Sequence, residues 1–106
     1  MRLRRGRFHE VVGRQLDLFA ADEAALLAEA DAAEAAWVRA GRDEAEESYG
    51  DFQLVVDAIA DHLLELREVY ASTLEADAAE EYRRSFHAVV ARRFRRYASL
   101  VADLEP

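Results

Sequence analysis

Apolar side chains recur along nearly the whole chain at alternating four- and three-residue steps, the spacing of a helix that buries one face. The first stripe runs through Val12, Leu16, Phe19, Glu23, Leu26, Ala30, Ala33, Trp37 and Ala40, apolar at every place except Glu23. The second follows Tyr49, Phe52, Val56, Ile59, Leu63, Leu66 and Tyr70, with Val55, His62 and Val69 widening it once every two turns. The third is Ala79, Tyr82, Phe86, Val89, Val90, Phe94, Tyr97, Val101 and Leu104.

Phase sets the boundaries. Carrying the first stripe past Ala40 would bury Glu44, Glu47 and Asp51, so that helix must end, with Gly41 as its C-terminal cap and Asp43 with Glu46 as the capping box of the next. Carrying the second past Tyr70 would bury Asp77, Glu80 and Arg84, so the chain must bend between Ser72 and Asp77. Either Ser72 with Glu75 or Asp77 with Glu80 supplies the new cap. Gly50 interrupts the second stripe and offers a break there, although the uninterrupted phase from Tyr49 to Phe52 favours one helix. The pattern predicts an all-α fold: an up-down-up bundle of three long antiparallel helices over about 7–40, 43–72 and 77–104. A chain of 106 residues fits one domain, 1–106, which includes a basic arm at 1–6. The width of the second stripe suits contact with both neighbours or with another copy.

Charge sharpens this picture. The net charge is −8, yet residues 17–81 hold nineteen carboxylates and three arginines, while both ends are net positive. At about 100° per residue, Arg84, Arg92, Arg95 and Arg96 gather on the outward side of the third helix, a candidate partner-binding face. Asp57, Asp61, Glu65 and Glu68 form an outward acidic strip on the second. Two solvated faces are the simplest reading, and docking of acid against base is the sharper one. Glu23 and Arg93 fall inside apolar sectors, at matching heights if the first and third helices run parallel. They are expected to pair as a structural ion pair fixing register.

The candidate chemistry is thin. There is no cysteine, which excludes disulfides and thiolate sites and suits a reducing cytoplasm. The arginine-rich start runs into Glu10 and Arg14 without the apolar run of a secretory signal, and no stretch reaches membrane-spanning length. Of the three histidines, His62 flanks the strongest stripe, where bonding to a neighbouring carboxylate is expected more than ligation. A carboxylate-bridged metal pair in a helical bundle takes two Glu-x-x-His motifs, and the sequence has none; His62 and Glu65 give only the reversed spacing. No phosphate loop, nucleophile elbow or His-Glu-x-x-His pattern occurs, so no catalytic residue, metal ligand or cofactor is assigned.

The runs Glu46-Glu47-Ser48-Tyr49-Gly50-Asp51-Phe52 and Leu64 through Leu74, with Phe86 through Phe94, resemble small helical proteins of high-GC bacteria that carry no assigned function. The resemblance spans residues 8 to 97 or so and implies a standalone cytoplasmic protein. The leading expectation is a non-enzymatic interaction or scaffolding module that binds itself or another helical protein through an apolar strip or the arginine face. A nucleic-acid-binding regulator using those arginines is the alternative. It is disfavoured because a net acidic domain repels phosphate, and a metal-dependent bundle enzyme ranks below it.

Overall fold

The computed structural model describes residues 6–103, with side chains as far as Val101. The expected basic arm at 1–6 therefore lies outside the described residues except for Gly6. The described chain forms five helices: α1 (His9–Asp22), α2 (Ala24–Arg39), α3 (Ala45–Ala71), α4 (Ala76–Arg93) and α5 (Arg95–Asp103). No strand occurs among the described residues. The all-α expectation holds, but the three uninterrupted helices do not: the first stripe is divided at Glu23 and the third at Phe94.

The break at Glu23 falls where the stripe is polar. A straight helix would carry this carboxylate into the core. Instead the backbone at Glu23 leaves helical geometry at φ −105° and ψ 24°, while its N–H still bonds the Phe19 carbonyl. Beyond it α2 lies along α3, and its alanines let the two backbones approach closely. Trp37 closes that end, stacked on Phe52 with ring centroids 5.7 Å apart and edge-on to Tyr49 at 4.9 Å. The break at Phe94, at φ −131° and ψ 57°, has no such signal, since the spacing Val90, Phe94, Tyr97, Val101 is unbroken. It redirects the chain so that α5 packs on α3 as well as on the end of α4.

α1 runs parallel to α4. Phe8 meets Tyr82 edge-on, and one turn past Leu16, Phe19 meets Phe94 in the same way, both at 5.7 Å. The two helix breaks thus lie side by side. The core that α1 and α4 share with α3 is built from Val12, Leu16, Ile59, Leu63, Tyr82, Phe86 and Val90, all fully buried. Burial raises the Tyr82 phenol from 10.0 to about 12, against the opposing effect of the bond its hydroxyl donates to Gln15 Oε1 at 2.8 Å.

The expected caps are not the ones used. Gly41 does not adopt a left-handed conformation, and Ala40 ends α2 in extended geometry. Glu44 rather than Asp43 precedes α3, without a side-chain cap bond, and Glu75 precedes α4 likewise. Ser72 and Thr73 turn back instead to donate to the carbonyls of Val69 and Tyr70, satisfying the C-terminal end of α3. The bend between Ser72 and Asp77 is present, and Gly50 does not interrupt α3.

Candidate partner-binding groove

α3 is in contact with α2, α4 and α5, but no Cα of α1 comes within 8 Å of one in α3. That separation opens a surface groove of about 450 Å³ between them. One wall comes from α1, with Gln15, Leu18, Phe19 and Asp22, and the other from α3, with Glu65, Leu66 and Val69. Phe19 is buried, while Leu18 is 65% exposed and Val69 64% exposed. Two large apolar side chains therefore face each other across open space.

His62 and Glu23 close one end of the groove, the His62 Nδ1 lying 3.1 Å from Glu23 Oε2. His62 is thus the carboxylate-bonded histidine that its flank position suggests. The widened column of the second stripe divides between two surroundings: Val55 lies against α2, whereas His62 and Val69 line the groove. Asp22 and Glu65 stand exposed on opposite walls, with no basic partner among the described residues. The groove is apolar within and acidic at its edges.

The expected bridge between Glu23 and Arg93 is not formed. Glu23 bonds His62, and Arg93 bonds Asp17 at 2.9 Å and the Gly13 carbonyl at 3.3 Å. The expected matching heights are not met: Phe19, not Glu23, is level with Phe94, so Glu23 lies about a turn beyond Arg93, and Asp17 and the Gly13 carbonyl are the groups that Arg93 reaches. The proposed arginine face divides too. Arg84, Arg92, Arg95 and Arg96 are all exposed, yet Arg96 is already engaged, at 2.5 Å from Asp31 and 2.9 Å from Glu34 on α2. Its bond to Asp31 holds the Arg96 guanidinium above its ordinary pKa. Arg92 and Arg95 share a second pocket with Arg93 and Arg96, and Arg84 lies outside it.

The outward acidic strip loses its last member. Glu68 accepts from Arg67 Nε at 2.6 Å and takes both Nε and Nη2 of Arg83 at 2.9 Å. Arg67 is 3% exposed, and its Nη1 donates to His87 Nε2 at 2.7 Å. This buried arginine is not part of the stripe through Leu63, Leu66 and Tyr70, although it falls four residues after Leu63, in line with Ala60 and Ala71. The hydrogen bond from Arg83 and, after it, that from Arg67 lower the Glu68 carboxyl from 4.5 to about 2 despite the opposing effect of burial. The cluster joins α3 to α4 on the side where the chain folds back.

Among the described residues no three histidine, aspartate or glutamate side chains converge as metal ligands would. No helix of the described residues is long and apolar enough to cross a membrane. Comparison with protein-family models, curated proteins and solved structures gives no match, so the function is argued from geometry and charge.

Proposed function

We propose that the protein is a non-enzymatic interaction module whose groove between α1 and α3 receives a basic amphipathic helix from a partner protein. The observation that carries this reading is the pair Leu18 and Val69, both about two-thirds exposed on facing walls with the buried Phe19 beside them. Exposed apolar side chains scattered singly are ordinary, whereas a concave strip rimmed by polar groups marks an interaction site. The stretch from His62 to Val69 spans about 10 Å at about 1.5 Å per residue, room for the apolar ridge of two helical turns. Asp22 and Glu65 select arginine or lysine flanking that ridge.

Self-association through this groove is disfavoured. A two-fold contact would set Asp22 and Glu65 against copies of themselves, a repulsion reinforced by the net charge of −8. Nucleic acid fits less well for the same electrostatic reason, and two of the four arginines near the break at Phe94 are matched by carboxylates within the chain. We place the module on an up-down-up arrangement whose first and third legs are bent, in a cytoplasmic setting that suits its lack of cysteine.

The test uses a designed helical peptide with leucines at i, i+4 and i+7 flanked by lysines, against an otherwise identical peptide flanked by glutamates. The basic peptide should bind saturably and more weakly as salt rises, and the acidic one should not bind. Leu18→Glu and Val69→Glu should each weaken binding about tenfold or more, because loss of a buried aliphatic contact costs about 1.5–3 kcal/mol. Both side chains are exposed in the free protein, so helicity by circular dichroism should not change. Equal binding of the two peptides, or full affinity in both variants, would remove the groove from consideration. A concentration-dependent dimer abolished by Leu18→Glu would reassign the groove to a second copy.

A further inference from the structure

The four arginines on either side of Phe94 gather on one pocket of about 390 Å³ at the corner where α4 gives way to α5. Arg92, Arg93, Arg95 and Arg96 all line it, with Leu27 and Phe94 as apolar wall. It shares no lining residue with the groove between α1 and α3. Like charges at such density repel unless each is matched or an anion lies among them. Two are matched: Arg93 by Asp17, and Arg96 by Asp31 and Glu34. Arg92 and Arg95 have no carboxylate partner among the described residues, so four guanidiniums against the three carboxylates Asp17, Asp31 and Glu34 leave a net positive charge in a concavity of a chain whose overall charge is −8.

We propose that this pocket binds a small phosphorylated ligand through Arg92 and Arg95. Guanidinium groups present two parallel N–H donors that match the oxygens of a phosphate, and the match is stronger when charge-assisted. The pairs to Asp17, Asp31 and Glu34 hold Arg93 and Arg96 in place, so the guanidiniums of Arg92 and Arg95 flank a wall that is already ordered. α5 begins at Arg95, and although the Tyr97 amide is taken up by the Phe94 carbonyl at 2.9 Å, the amides of Arg95 and Arg96 precede it at the same corner. Tyr97 lines the pocket too; it is 3% exposed, and its hydroxyl is buried without a partner among the described residues. The volume of about 390 Å³ is room enough for a diphosphate or a small organic phosphate.

Titration of the full-length protein with sodium pyrophosphate by isothermal calorimetry, at ionic strength held constant with sodium chloride, tests the assignment. Saturable heat is expected, with Arg92→Ala/Arg95→Ala weakening the dissociation constant at least about tenfold. Arg84→Ala, on the same face but outside the pocket, should leave it unchanged. Circular dichroism reports whether each variant keeps its helices, and the exposed positions of all three arginines predict that it does. Heats equal to the chloride blank would overturn the proposal, as would equal losses in Arg84→Ala and the double variant. Tighter binding of a duplex oligonucleotide than of pyrophosphate, with the same arginine dependence, would overturn it in favour of nucleic acid.

Discussion

Glu68 is held by Arg67 on its own helix and by both nitrogens of Arg83 on the next, and this sets its response to acid. Its carboxyl ionises at about 2 in the fold against 4.5 ordinarily, so the folded state favours the charged form. The stabilisation is present above pH 4.5 and is lost as pH falls from there toward 2. Glu68→Gln should therefore be less stable than the native chain at pH 7, with the gap closing between pH 4.5 and 2, as urea unfolding at several pH values will show. A gap independent of pH would mean that the arginines hold the side chain by shape alone. Individual residues differ in how plainly the sequence marks them. Glu23 is conspicuous as the polar member of an apolar stripe, and its removal from the core is legible. Its partner is not, because His62 lies on a stripe flank and only the path of α1 brings the two together. Arg67 is concealed beside Leu66, since a stripe traced through Leu63, Leu66 and Tyr70 passes it by, whereas one through Ala60, Leu63 and Ala71 includes it.

At the level of elements, the helical segments and the bend after Ser72 follow from phase, and the break at Phe94 does not. Periodicity records which side of a helix is apolar, and a bend that keeps that side inward leaves no trace in it. The caps are ambiguous in the sequence for a related reason: Ser72 and Thr73 can serve either the end of one helix or the start of the next, and here they serve the end. Gly50 gives the converse case, a residue that weakens a helix without breaking it. A Cβ at that position would meet nothing within 4 Å. Gly50→Ala should thus stabilise the protein by about 0.5–1 kcal/mol, read as a higher urea midpoint with an unchanged slope. A destabilised variant would show that the first turns of α3 need the freedom glycine provides.

Across the whole molecule, α3 is the element to which α2, α4 and α5 all attach, while α1 touches α4 and its own continuation α2. Amides near Ile59 and Leu63, fully buried and in the middle of the longest helix, should be among the slowest to exchange with deuterium. Those of α1 should open at least about tenfold more often, and equal protection along both helices would show that α1 is fastened by more than α4. The groove is half legible in the sequence: the widened column on α3 shows that more apolar surface is present than two neighbours need, but not which stretch stays uncovered. One wall is the central column of the fold, and the other is a single helix joined at Glu23 and supported from behind. The proposed site is therefore seated like a wrench whose jaws differ in backing: a partner helix wider than the gap would have to displace α1 rather than α3, and the affinity would fall by whatever that displacement costs.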